Sequence, residues 1–318
     1  MKKNLNKKFI LALQEKLPEK ASLPKFIMET LKIGKEATYR RLRGDVPFTF
    51  DEIAILAESL KISLDRLVGN YSENSALFNF NMVQTHHTIE DYENTLMRYI
   101  NYLSQIKDDP EGYIIHILNT LSYSMYSPYK YLSRFRICRW LHQTEQLTAK
   151  ELSEIEIPFF IRELQKKLTR FIHEVPHSYF IWDRHVFLSV IKDIDYFRKM
   201  NIITSEDVKH LKEELLFLID TMEKIAANGM YNNGKKVSIY LSNINFEASY
   251  SYMESREFKL SFIRVYSINS FDSIHPSICK VQKEWIQSLK RYSTMITESG
   301  EMQRFNFFRI QREYVNNL

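Results

Sequence analysis

The chain has 318 residues, a length that suggests about two domains. Only 7 of these residues are glycine and 8 are proline, while aromatic residues reach 14%. A phosphate-binding loop needs several glycines in a short stretch, and neither GxGxxG nor GxxxxGK[ST] occurs, so these nucleotide-binding motifs are excluded. The scarcity of glycine and proline predicts long uninterrupted elements and a mainly α fold.

Cysteine usage and hydropathy predict a cytoplasmic protein. Cys138 and Cys279 lie far apart and form no CxxC, so we expect two reduced thiols. The N-terminal apolar run, Phe9 to Leu13, is shorter than the roughly 7–15 residues of a secretory signal. No stretch has the ~20 mainly apolar residues of a membrane span. We therefore expect neither export nor a membrane partner.

The positive charge is concentrated near the N-terminus. Residues 1–70 hold 14 Lys and Arg against 9 Asp and Glu, whereas the rest of the chain balances 30 against 30. A basic excess on a small domain is the electrostatic footprint expected of a nucleic-acid binder, although a basic solvated surface gives the same count. The motifs in this segment have to decide between the two.

Five short helices are predicted within the first 70 residues. Apolar residues recur every three or four positions, and prolines, glycines or N-cap residues separate the helices. The boundaries fall at Pro18, Ser22, Gly34, Gly44, Thr49, Ser63 and Gly69. Thr49 and Glu52 read as a capping box at the start of the fourth helix. A Gly-containing turn between the second and third helices is a helix-turn-helix arrangement.

A family pattern is present in this segment at Arg43-Gly44, Pro47, Thr49 to Ile53 and Leu56 to Leu67. With these residues the segment resembles the Cro/C1 (lambda-repressor-like, xenobiotic-response-element) helix-turn-helix family over roughly residues 5–70. The sequence departs from the family in having Pro24-Lys25 where a Gln is usual, and in placing the apolar positions Tyr39 and Leu42 one residue later. The resemblance implies a transcriptional regulator whose third helix, residues 35–43, enters the major groove of DNA.

The third helix carries four cations and one carboxylate, a net charge of +3 over nine residues. With Tyr39 and Leu42 taken as the buried side, 100° per residue places Ala37 and Arg41 on the opposite side. Arginine can bridge guanine O6 and N7, and alanine can pack on a thymine methyl. The residues that flank or border this face are Gly34, Lys35, Thr38 and Arg40.

Two further basic residues are expected to contact phosphates, which position a protein on DNA without reading its sequence. These residues are Arg43 and Lys25. The full set of predicted DNA-binding residues is Lys25, Gly34, Lys35, Ala37, Thr38, Arg40, Arg41 and Arg43.

The sequence of the remaining 240 or so residues predicts a linker at 73–87, a helical domain at 88–231 and an α+β region at 232–318. The last two are either separate or parts of one domain. Helices are predicted at 111–125, 129–142, 148–168, 178–200 and 205–228. After Asn233-Gly234 the apolar period changes to two, which predicts strands near 237–241 and 246–252. The segment 259–268 is rich in β-branched and aromatic residues and is a third strand candidate, and the three strands together predict a small antiparallel meander. The predicted fold class is therefore mainly α: an N-terminal five-helix lambda-repressor-like domain, a helical region and a small C-terminal α+β part.

One string imitates a zinc protease motif. His173-Glu174-Val175-Pro176-His177 matches HExxH, whose chemistry needs both histidines on one helix face. Pro176 removes a helix hydrogen bond and restricts Val175 to extended angles, so we interpret the string as a helix end. We expect no metal, no cofactor and no catalytic site.

These patterns favour a sequence-specific, DNA-binding transcriptional regulator. Its expected partners are double-stranded DNA and a second copy of the chain in a homodimer. The C-terminal region is expected to dimerise, to bind a small-molecule or peptide effector, or to do both. Two alternatives stay open at this stage, namely an enzyme fused to a helix-turn-helix module and a protein-interaction protein that uses the module as a scaffold.

Overall fold

A computed structural model describes residues 5–17, 22–68, 76–83, 88–144, 151–265 and 268–318. The chain divides into two compact units, Met1–Leu77 and Phe78–Leu318. Each unit has its own hydrophobic core, and each is described by itself.

The first unit is helical throughout its described part. Its helices are α1 (Leu5–Lys16), α2 (Leu23–Leu31), α3 (Lys35–Arg43), α4 (Phe50–Ser59) and α5 (Leu64–Val68). The predicted capping box is confirmed, since Thr49 accepts from the Glu52 N–H and the Glu52 side chain accepts from the Thr49 N–H. Leu13, Ile27 and Leu56 are fully buried in the small core that holds these helices together.

The second unit is built on a mixed sheet, with eight strands among the described residues. The strands are β1 (Asn79–Asn81), β2 (Tyr113–Leu118), β3 (His177–Trp182), β4 (Lys236–Ser242), β5 (Tyr250–Glu254), β6 (Lys259–Val265), β7 (Asn269–Ser273) and β8 (Ser293–Met295). The helices are α6 (Thr88–Ser104), α7 (Tyr123–Tyr126), α8 (Lys130–Gln143), α9 (Phe159–Glu174), α10 (Leu188–Lys199), α11 (Ser205–Asn228), α12 (Pro276–Arg291) and α13 (Glu301–Asn316).

The strand order corrects the predicted fold class. The sheet runs β1-β7-β6-β5-β2-β3-β4-β8, and the pairs β2–β3 and β3–β4 are parallel. A meander is present in β5, β6 and β7, but β4 does not join it and pairs with β3 and β8 instead. The prediction of a mainly α protein with a small antiparallel meander is therefore wrong, because a large mixed sheet organises the whole second unit.

Two strands in the predicted helical domain explain this error. Tyr113–Leu118 is apolar except for His116, and His177–Trp182 is aromatic or apolar after its first two residues; none of these positions is exposed and most are buried. Strands that are covered on both faces lose the alternation of apolar and polar residues that marks a half-exposed strand. The patterns were therefore assigned to helices at 111–125 and 178–200, although the β-branched and aromatic residues suit strands.

Both faces of the central strands are covered by helices. On one face, Ile114 and Leu118 pack into clusters with α6, α8, α9, α10 and α11. On the other face, Ile115 and Ile117 pack with Cys279 of α12. The parallel crossovers run from β2 to β3 through α7, α8 and α9, and from β3 to β4 through α10 and α11.

Two predicted segments lie partly outside the described residues. Of the predicted linker, positions 73–75 and 84–87 are outside, and Asn79–Asn81 form the edge strand β1. Of the predicted helix 148–168, positions 148–150 are outside, and α9 begins at Phe159. None of the described helices has the length and apolar character needed to cross a bilayer.

Two glycines of the second unit give a matched test of the fold. A Cβ on Gly112, just before β2, would overlap the backbone carbonyl oxygen of Ile106, whereas a Cβ on Gly234 meets open space. We predict that Gly112→Ala lowers the free energy of unfolding by about 3 kcal/mol because the backbone has to move. Gly234→Ala should cost about 1 kcal/mol, from its positive φ alone.

The measurement is urea unfolding of the full chain followed by tryptophan fluorescence. All three tryptophans, Trp140, Trp182 and Trp285, lie in the second unit and therefore report it selectively. Equal losses for the two variants would contradict the close approach at Gly112.

Candidate nucleic-acid interface

The turn between α2 and α3 is short and has a defined backbone conformation. Lys32 ends α2 in the left-handed region with φ of 54°, and Gly34 is the extended N-cap of α3. Gly44 ends α3 with φ of 83°, and its N–H bonds to the carbonyls of Arg40 and Arg41. The two glycines that bound α3 were predicted, and the helix runs over Lys35–Arg43 as expected.

The buried side of α3 differs in part from the one predicted: Leu42 packs on the small core as expected, but Tyr39 does not. Thr38 is 0% exposed, whereas Tyr39 is 39% exposed. The Thr38 hydroxyl donates to the Gly34 carbonyl at 3.1 Å, so its polar group is satisfied within the helix and can be buried. A prediction based on hydrophobicity alone therefore places Tyr39 in the core where the structure places Thr38. Thr38 belongs to the core side and not to the exposed face.

Arg41 is held by a partner on the next helix. Its Nε donates to Glu52 Oε2 at 2.9 Å and its Nη2 donates to Glu52 Oε1 at 2.6 Å. A third nitrogen, Nη1, donates to the Ala37 carbonyl at 3.2 Å. The two paired side chains are each 16% exposed. The predicted contact of Arg41 with guanine would need this bidentate pair to break, so the structure gives Arg41 a role in positioning α3 against α4.

The pair changes the protonation of the carboxyl group. The hydrogen bonds from Arg41 lower the pKa of Glu52 from its ordinary value of 4.5, against the opposing effect of burial. The same carboxylate accepts from the Thr49 N–H at 2.9 Å. One side chain thus completes the capping box of α4 and also fixes α3.

The exposed face of α3 is defined by Glu36, Tyr39, Arg40 and Arg43. These positions are three or four residues apart and therefore share one side of a helix. Glu36 and Tyr39 were not among the predicted residues. The burial of Thr38 places them on this face. The sequence signal is a threonine inside a helix, because its hydroxyl can donate to the carbonyl four residues earlier and the side chain can then be buried.

The cations near this face differ in how strongly they are paired. Arg43 Nε lies 3.0 Å from Asp45 Oδ2, and Lys25 Nζ lies 3.9 Å from Glu29 Oε1, both between exposed groups. Within the described residues no ion pair involves Lys35 or Arg40, and both are exposed. Gly34 is also exposed and Ala37 is partly buried. The free cations closest to the start and middle of α3 are therefore Lys35 and Arg40.

The HExxH string does not form a helical metal site. Helix α9 ends at Glu174, and His177 is the first residue of β3, so the predicted helix end is confirmed. His173 stacks on Tyr231 with ring centres 4.1 Å apart, and His177 Nε2 lies 2.9 Å from Ser238 Oγ. In the part of the chain that the structure describes, no three His, Cys, Asp or Glu residues are grouped as metal ligands.

Comparison with known proteins adds no assignment, because no protein-family model and no curated protein matches this chain. The candidate interface therefore rests on the residues of the first unit themselves.

The Arg41–Glu52 pair can be tested by its coupling energy. Glu52→Gln keeps a side-chain acceptor for the capping box but removes the charge, and Arg41→Met removes the cation. We expect the double-mutant cycle to give a coupling of about 1 kcal/mol at neutral pH. Native-state hydrogen exchange of peptides covering residues 35–60 in the full chain measures it.

The same cycle has a definite pH dependence. Because the pKa of Glu52 is lowered on folding, the contribution of the pair is complete above the ordinary value of 4.5 and is lost as the pH falls through the lower folded value. A coupling that is unchanged in acid, or absent at neutral pH, would show that the pair does not hold α3.

Proposed function

We propose that the chain is a sequence-specific, DNA-binding transcriptional regulator. In this proposal the first unit binds double-stranded DNA by placing α3 in the major groove, where a helix can reach base edges. The single observation that supports it most is the exposed, cationic face of α3, which presents Arg40 and Lys35 without carboxylate partners in the described chain. The local excess of positive charge supports the same function.

The contacts divide into two chemical classes. Arg40 lies on the exposed face at the middle of the helix and is the proposed base-reading arginine, with Lys35 beside the groove floor. Arg43 and Lys25 have exposed carboxylate neighbours that a phosphate can replace, so they are proposed phosphate contacts. Arg41 acts through Glu52, by setting the rotation of α3.

The second unit supplies the proposed dimer contact. One recognition helix reads too few base pairs to select a site, and related helix-turn-helix proteins use two copies about 34 Å apart. The edge strand β1 carries Phe80, which stacks on Phe271 of β7, and Phe78 and Met82 lie directly before and after the strand. These three alternate residues are each between 41% and 44% exposed. An exposed apolar edge strand is a ready surface for a second chain. An effector bound by the second unit could change the spacing of the half-sites.

Arg40 gives the direct test of base reading. On a duplex carrying the site that the full chain selects from random DNA, Arg40→Ala should lose about 1–3 kcal/mol and relax one base position. Arg43→Ala should weaken all sequences alike and reduce the salt slope by about one. Fluorescence anisotropy with selected and scrambled duplexes separates the two effects.

The Arg41 and Glu52 variants control for helix position. If Arg41 acts through the ion pair, Arg41→Met and Glu52→Gln weaken binding to a similar degree without changing the preferred bases. Loss of one base preference in Arg41→Met alone would restore Arg41 as the base-reading residue and contradict the role proposed for Arg40.

The dimer contact is tested on the full chain. We expect a dimer by multi-angle light scattering, and a monomer in Phe80→Glu because a carboxylate would be buried in the interface. The monomer should bind the selected site about tenfold more weakly or worse, since the two half-sites then bind independently. Phe305→Glu, at another exposed phenylalanine, is the matched control and should remain a dimer. A monomeric wild type with full affinity would refute this part of the proposal.

A further inference from the structure

A cavity lies inside the second unit, between one face of the sheet and the helices α6, α8 and α9. Its polar wall includes Arg136 of α8, Arg264 of β6, His116 of β2 and Tyr99 of α6. None of these residues belongs to the candidate DNA interface. The cavity is therefore a separate feature, and its chemistry can be analysed without reference to DNA.

Two arginines meet at this cavity without a carboxylate between them. Arg136 Nη1 donates to the Tyr126 hydroxyl, and Arg264 Nη1 donates to the Leu121 carbonyl at 3.2 Å. Within the described residues neither guanidinium takes part in an ion pair, and the Nε of Arg136 is buried without a hydrogen-bond partner. Burial, and then the charge of Arg136, lower the pKa of Arg264 to about 10. The Arg264 cation is thus disfavoured where it stands. Burial also opposes the Arg136 cation, but Tyr126, Tyr92 and Tyr123 raise the pKa of Arg136 overall. An anion placed between the two guanidinium groups would relieve Arg264 and pair with both.

The buried carboxylate in this region has other partners. Asp272 is 0% exposed. It accepts from the side-chain amides of Asn79 and Asn81 and from the Tyr102 hydroxyl, the last at 3.0 Å. These neutral donors satisfy the carboxylate, and it forms no ion pair with Arg136 or Arg264 among the described residues. Asp272 therefore does not neutralise the positive charge of Arg136 and Arg264 on the cavity wall.

His116 provides a second and independent observation. The side chain is 2% exposed, its Nδ1 lies 3.0 Å from Ser251 Oγ, and its Nε2 has no hydrogen-bond partner in the described structure. Burial and the charge of Arg264 lower the pKa of His116 to about 3, so the ring is neutral. A buried polar atom without a partner needs an explanation, and a bound polar group in the cavity that His116 lines would supply one.

The size and the apolar wall restrict what can bind. The cavity has a volume of about 90 Å³. One water molecule needs about 15 Å³ of such volume, so there is room for roughly six. One part of the lining is apolar, from Leu96, Leu168, Phe262 and Ile268, and further polar side chains, among them Asn81, Thr95, Arg98 and Asn269, complete it. An inorganic anion would leave oxygens facing the apolar part, whereas a short organic acid would place its apolar body there.

We propose that this cavity binds a small organic carboxylate, with its two oxygens held between Arg136 and Arg264, His116 beside them and its apolar body against Leu96 and Ile268. Arginine is suited to this role because its planar guanidinium binds a carboxylate through two parallel hydrogen bonds. The site does not depend on whether the first unit binds DNA, so its test can fail or succeed separately from the proposed function.

The test is isothermal titration calorimetry on the full chain with butyrate and benzoate as probes. Butyramide and benzamide are the neutral controls of nearly equal shape, and inorganic phosphate is the control for any anion. We expect saturable binding of at least one carboxylate, and no binding of the amides or of phosphate. Arg264→Met and Arg136→Met should each weaken binding by about tenfold or more, as expected for loss of a charged hydrogen bond.

The control variant is Arg134→Met, on the same helix as Arg136 but outside the lining of this cavity. It changes the net charge equally and should leave binding intact. Thermal unfolding followed by tryptophan fluorescence adds a second readout. Ligand-free Arg264→Met should unfold at a temperature no lower than the wild type, because an unpaired buried cation is removed, but should lose the stabilisation by the carboxylate.

Several results would overturn the proposal. If the amides bind as tightly as the carboxylates, the negative charge of the ligand does not contribute to binding. If phosphate alone binds, the proposed ligand class is wrong. A carboxylate that binds both arginine variants as tightly as the wild type would show that it occupies another place. A marked fall in the unfolding temperature of ligand-free Arg264→Met would show that Arg264 serves the fold and not a ligand.

Discussion

The ion pair between Arg41 and Glu52 joins α3 to α4 and keeps Arg41 away from the exposed face of α3. Its two short bonds join α3 to the first turn of α4, and the same carboxylate closes the capping box with Thr49. With Thr38 buried below the helix, this arrangement leaves Glu36, Tyr39, Arg40 and Arg43 outside. The proposed reading of DNA depends on this rotation, because a side chain reaches a base edge only if it points away from the helix core.

Local signals in the sequence were sufficient for the first unit but not for this rotation. Thr49 and Glu52 are three residues apart, so the capping box can be recognised from one short segment. The partner of Arg41 lies eleven residues away on another helix, and no periodicity indicates it. The burial of Thr38 likewise depends on a hydrogen bond to Gly34 that hydrophobicity does not represent.

The second unit shows the same limit on a larger scale. Strand β4 was predicted because apolar and polar residues alternate in its sequence, and β6 was predicted because its segment is rich in β-branched and aromatic residues. Strands β2 and β3 lie at the centre with helices on both sides, and burial on both faces removes the alternation. Since these two strands carry the parallel pairs, missing them meant missing the mixed sheet. The cavity could not be predicted either, because Arg136, Arg264 and His116 come from three distant segments.

The two units therefore combine a cationic helix face with a separate cavity whose cations are unpaired in the described chain. Natural proteins retain such destabilising groups chiefly at functional sites. The buried Arg264 cation of the cavity destabilises the fold, and the exposed cations Lys35 and Arg40 of the helix face have no carboxylate partner in the described chain, unless a negatively charged molecule binds to them. The proposed partners differ in kind, DNA for one and a small carboxylate for the other, and this difference fits the proposal of a regulator that responds to a small molecule.

The measurement that tests the central claim most directly is selection of bound fragments from a random duplex DNA pool by the full chain. The account predicts enrichment of one motif with two related halves about one helical turn apart, and binding that weakens steeply as salt is raised. Recovery of an unenriched pool, or binding that does not change with salt, would contradict the proposal that α3 reads DNA.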